Sequence, residues 1–79
     1  MARYYFHLRT DSNVLDEKGL EFPDLAAARL RAIETARAMA CADILLGRVN
    51  LDHSIEVADD QGAALLSLTF REAFEIGRL

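Results

Sequence analysis

Beside the acidic turns, the side chains that bear on nucleophilic attack, metal ligation or proton transfer include His7, His53, Cys41, and the hydroxyls of Ser12, Ser54, Ser67 and Thr69. A zinc site needs donors at spacings such as His-x3-His or Cys-x2-Cys, and neither spacing occurs. The run from Asp11 to Asp16 begins like a calcium loop, but it has Leu15 where the third oxygen ligand belongs and Asp16 where glycine is required. Asp59 and Asp60 are neighbours whose side chains diverge at a strand end, so turn formation explains them better than a shared ion. Hydrolysis needs a nucleophile within reach of a base that a third group orients, and no elbow motif or glycine-rich turn arranges one. The glycines at 19, 47, 62 and 77 stand apart, which leaves neither a phosphate-cradling loop nor a dinucleotide fingerprint. Cys41 falls in an alanine-rich stretch and reads as a small packed or partly covered residue. The expectation is a domain without metal, cofactor or catalytic residues, and therefore not an enzyme.

One stretch could still bind. RYYFHLR, residues 3 to 9, interleaves aromatics with basic residues. Its period of two sends Tyr4, Phe6 and Leu8 to one face and Arg3, Tyr5, His7 and Arg9 to the other. Aromatics between arginines on an open strand suit stacked bases, although the glycine-containing core of an RNA-recognition strand is missing because Tyr4 occupies the glycine position. The same residue types are also enriched where two proteins meet.

Charge weighs against nucleic acid. Residues 1 to 40 hold six basic and six acidic side chains, residues 41 to 79 three and seven, so the net charge of -4 lies wholly in the second half. No apolar run approaches the roughly 20 residues that span a bilayer, and residues 1 to 13 lack the pattern of an export signal. A single cysteine forms no intrachain disulfide, which fits a reducing compartment. The expectation is a soluble cytoplasmic protein. Seventy-nine residues make one small domain, which buries only about 60% of the surface that its unfolded chain exposes.

These residues need elements to position them. Residues 3–9 read as a half-buried strand, 14–22 as a short hairpin and 25–46 as a long helix from Asp24 to a stop at Gly47. Residues 53–69 read as a second hairpin and 70–76 as a short helix, opened by the capping box Thr69-x-x-Glu72 and closed at Gly77. VLDEKG (14–19) and VADDQG (57–62) share Val-x-Asp-acid-x-Gly, in which Asp bonds its own backbone two residues on and Gly takes a positive φ. Ala28, Ala32, Ala36 and Ala40 lie on one line of the helix and make a flat face for close packing on a sheet. Leu30, Cys41 and Leu45 point elsewhere and form a second apolar strip, which Phe70, Ala73, Phe74 and Ile76 of the last helix are expected to cover. The architecture is α+β: an antiparallel sheet in the order β-β-α-β-β-α, with one long helix across one face and a short C-terminal helix.

Three quoted pieces, RYYFHLR, LDEKGLEFPDLAAARLRAIETAR and IEVADDQGAALLSLTFREAF, together resemble over almost the whole chain a family of short bacterial proteins grouped as a domain of unknown function, whose members begin with a Tyr-Tyr-Phe-His-Leu strand. The resemblance implies a stand-alone cytosolic domain and brings no activity. The chain is also similar, more weakly, to HicB-type antitoxins, which place an alanine-rich helix after a short hairpin. The expected function is a non-enzymatic interaction or regulatory module that self-associates, through a surface drawn from Arg3, Tyr5, His7, Arg9, Leu30, Cys41 and Leu45. The alternative is a nucleic-acid or toxin-binding module that uses the exposed face of strand 3–9. The partner is thus a second copy or another protein, with nucleic acid the lesser candidate and no membrane involved.

Overall fold

A computed structural model describes residues 1–75. Its elements follow in the order β1 (Ala2–Arg9), β2 (Leu20–Phe22), α1 (Leu25–Leu45), β3 (Ser54–Ala58), β4 (Ala64–Thr69) and α2 (Phe70–Glu75). All strand pairs are antiparallel, and the sheet order β2-β1-β3-β4 places the two long-range partners β1 and β3 at the centre. The expected α+β architecture is therefore present.

The long helix starts where Asp24 accepts the amide of Ala27 at 2.9 Å, immediately after Pro23 has kept the chain extended. It ends in a Schellman arrangement: the Gly47 amide donates to the Ile44 carbonyl at 2.9 Å and the Arg48 amide to the Asp43 carbonyl at 3.0 Å. Leu46 is thus the cap rather than the last helical residue. Ala28, Ala32, Ala36 and Ala40 are completely buried, as their alignment requires, and pack with Ile33 against Tyr4, Ile55, Val57 and Leu68 of the sheet. Phe6, Leu8 and Phe22 sit at the margin of this core. There the Phe22 ring meets Phe6 edge-on with centroids 5.9 Å apart.

The second hairpin turns at Asp59, whose Oδ1 accepts the amides of Gln61 and Ala63, each at 2.9 Å, while Gly62 takes φ of 86°. The first copy of that turn does something else. Residues 14–22 do not form a hairpin of their own; they run back along β1 as one interrupted strand. Val14 is bridged to Leu8, and Leu20–Phe22 pair with Ala2–Tyr4. The same local turn chemistry at Asp16 therefore makes a bulging loop inside one strand rather than a reversal between two. The cause is that pairing with β1 engages both sides of the turn.

At the far end, Glu72 Oε1 accepts the amide and hydroxyl of Thr69 at 2.8 and 3.0 Å, and Thr69 Oγ1 accepts the Glu72 amide at 3.1 Å, which completes the capping box. The expected end of this helix at Ile76 and Gly77 lies outside the described residues.

Close contact through alanine leaves no room for bulk. Ala32→Leu is expected to lower the unfolding free energy by about 1–3 kcal/mol in urea titrations. Leu30→Ala, at a site that is 62% exposed, should stay within about 0.5 kcal/mol of wild type.

Candidate functional site

The outer face of β1 carries Arg3, Tyr5, His7 and Arg9 together, as alternation requires. Opposite them on β3 stand Ala58, Glu56 and Ser54. These side chains are not idle. Arg3 donates to the Lys18 carbonyl at 2.6 Å and pairs with Glu21 at 3.3 Å. Arg9 pairs with Glu56 at 2.7 Å. His7 Nδ1 accepts the Asp16 amide at 3.0 Å.

Asp16 ties these contacts together. Between the Tyr4↔Leu20 pair and the Leu8↔Val14 bridge, the edge of β1 away from β3 has no paired strand to satisfy the Phe6 amide. Asp16 Oδ2 accepts the Phe6 amide at 3.2 Å in its place, and Oδ1 accepts the amides of Lys18 and Gly19 at 3.0 and 3.1 Å. Burial by itself would raise this carboxyl. The amides of Gly19, Lys18 and Phe6 outweigh it and hold the group below the ordinary aspartate range. Gly19 closes the loop at φ of 69°, and a Cβ there would come within 2.9 Å of both Arg3 Cγ and the Tyr4 carbonyl oxygen and 3.0 Å of Tyr5 Cε2. Only glycine meets both conditions. Tyr5 is half-buried over this loop, and its hydroxyl makes no hydrogen bond among the described residues.

Leu30, Cys41 and Leu45 lie away from this face on α1, and all three are exposed. Among the described residues the expected cover by α2 is not there. Phe70 and Ala73 turn into the main core, and Arg37 Nε fastens the short helix to α1 through the Ala73 carbonyl at 2.9 Å. Phe74 stays 41% exposed, and Ile76 lies outside the described residues. Sequence reading missed what forms instead: an apolar groove of about 390 Å³ lined by Ile44, Val49, Leu51, Arg71 and Phe74. Leu45, at 88% exposure, and Leu46 follow Ile44 at the helix end. The signal was present in the run Ile44-Leu45-Leu46 followed by Val49 and Leu51, which crosses a helix stop without losing apolar character.

A polar cleft of about 340 Å³ lies nearby, lined by Asp11, Asp43, Arg48, Val49, Asn50 and His53. The His53 ring stands edge-on to Phe70 at 5.9 Å. Its Nε2 is buried with no hydrogen-bond partner, and Asp11 Oδ1 is 4.0 Å away. Among the described residues no three His, Cys, Asp or Glu side chains converge as a metal site would require, and no helix is long and apolar enough to cross a membrane.

Two outcomes follow for the Asp16 loop. Gly19→Ala is expected to cost about 2 kcal/mol or more, read from thermal or urea unfolding, because an L residue is strained at that φ and its Cβ meets backbone. Asp16 has a folded-state affinity for protons below that of the unfolded chain, so its contribution is present above the ordinary aspartate range and disappears as pH falls through the lowered value. An acid titration of stability should accordingly show a shallower acid limb in Asp16→Asn than in wild type.

A family model described as a domain of unknown function, DUF6894, matches residues 3–71, and the chain belongs to that family. No curated protein and no solved structure matches it.

Proposed function

We propose that this member of the family is a non-enzymatic interaction or regulatory module of the cytoplasm, and that it pairs with a second copy of itself. The observation that carries the reading is the apolar surface at the end of α1, where exposed Ile44, Val49 and Phe74 line one groove and exposed Leu45 and Leu46 follow Ile44 in the chain. A chain of this size gains little stability from its own core, and large apolar side chains gathered on its surface mark a place where another surface belongs. The rim favours a second copy. It carries both signs of charge, since Arg71, which lines the groove, pairs with Asp52 at 3.4 Å. Such a patch can face itself across a two-fold axis with each arginine toward an aspartate. An interface of ordinary size covers about 800 Å² per partner, a modest part of the 5347 Å² that the chain exposes.

A second reading, a nucleic-acid or toxin-binding module of the antitoxin kind, is supported by Tyr5, a half-buried aromatic ring between two arginines on the open sheet face. It is weakened by the engagement of Arg3, His7 and Arg9 with the chain's own loop and neighbouring strand.

Sedimentation at micromolar concentration tests the first reading. Wild type is expected to sediment as a dimer. Leu45→Glu, at a side chain that contributes little to the fold, is expected to be monomeric with unchanged unfolding. A monomeric wild type overturns self-association, and salt-dependent retention of single-stranded RNA by that monomer would put the second reading in its place.

A further inference from the structure

The polar cleft at the end of α1 continues into a second cavity. This cavity, of about 330 Å³, is lined chiefly by Leu8, Met39, Ala42 and Phe70, and it shares Asp43 and His53 with the cleft. The two form one depression with an apolar end and a charged end, in the size range of sites for small molecules. At the charged end, opposite charges stand near one another without pairing. The Arg48 amide donates to the Asp43 carbonyl at 3.0 Å, which fixes the two backbones together. Yet among the described residues neither the Asp43 carboxylate nor the Arg48 guanidinium makes an ion pair. His53 Nε2, in the same depression, is buried without a hydrogen-bond partner. We propose that this depression binds a free α-amino acid with an apolar side chain.

Such a ligand carries its two charged groups and its apolar group on one carbon, pointing in different directions. The carboxylate pairs with the Arg48 fork and the ammonium with the Asp43 carboxylate, both through charge-assisted hydrogen bonds. The side chain enters among Leu8, Met39, Ala42 and Phe70, where its apolar surface leaves water. A simple amine or a simple acid leaves one of the two unpaired charges unanswered. The orphaned nitrogen supports the same choice, because a buried polar atom without a partner marks a place for a bound group. A head group with both donors and acceptors satisfies His53 Nε2 whether or not that nitrogen carries a proton. Asp11 Oδ1 is 4.0 Å from Nε2 on a side chain that is 99% exposed, so it can swing aside as the ligand enters. Val49 lines both the cleft and the apolar groove, so the site adjoins the surface assigned to pairing. Binding here does not depend on self-association.

Titration of the whole chain with leucine, followed by NMR amide chemical shifts, tests the site. Saturable shifts are expected at Leu8, Met39, Ala42, Arg48 and His53. Isoamylamine and isocaproate keep the carbon skeleton but each lacks one charged group, and each should bind about tenfold more weakly, the loss of one charge-assisted hydrogen bond. Arg48→Gln should weaken leucine to the same extent and leave isoamylamine unchanged. Asp43→Asn should weaken leucine and leave isocaproate unchanged. Ala42→Phe, at an exposed position of α1, fills the apolar end and should abolish binding with urea unfolding unaltered. The proposal is overturned by the lack of saturable shifts at millimolar leucine, by shifts confined to other residues, or by an analogue that binds as tightly as leucine. Unchanged leucine affinity in both charge variants, or in Ala42→Phe, overturns it equally.

Discussion

Four alanines on one line of α1 decide how near helix and sheet can come. Interaxial distance depends on the side chains at the contact, and here four of the five buried helix residues contribute only a methyl group. Bulk must then come from the other partners. The largest side chains that are fully buried are Ile55 and Val57 from β3 and Phe70 from the start of α2. The inward turn of Phe70 follows from this arrangement, as does the exposure of the remaining apolar residues at the helix end. With α2 drawn into the space beside the alanine face, it does not reach across to Leu30 or Leu45. The body is correspondingly flat, with Cα extents of 37 × 32 × 15 Å.

Local chemistry was legible in the sequence wherever a few neighbouring residues decide it. The Asp24 cap, the Thr69–Glu72 box and the Asp-x-x-Gly turns all form as their residue types imply. The two copies of Val-x-Asp-acid-x-Gly show where that legibility stops. Both bend the backbone alike, but one joins two strands and the other interrupts a single strand. The difference lies in what pairs on either side, and a turn does not encode that.

The candidate surfaces divide in the same way. Alternation correctly gathers Arg3, Tyr5, His7 and Arg9 on one face, because the period of a strand is a local property. Their partners are Lys18, Asp16 and Glu56, which are 15, 9 and 47 residues away in the chain. No pattern within residues 3 to 9 shows that a basic side chain is already occupied. The orphaned nitrogen of His53 is of the same kind. It arises where a loop, a helix end and a strand entry converge, and none of these elements contains it alone.

The central β1–β3 ladder has a kinetic meaning as well as a structural one. Arg9 and Glu56 are 47 residues apart, and closing a loop of that length costs about 3 kcal/mol of chain entropy before the ladder returns any of it. α1 eases the closure, since its 21 residues form a rod of about 32 Å that carries the chain back from the β2 edge. For a chain made N-terminus first, β1 can meet β2 early but keeps its other edge open throughout the synthesis of α1. The strand with the most aromatic side chains is thus the one that waits longest for its neighbour.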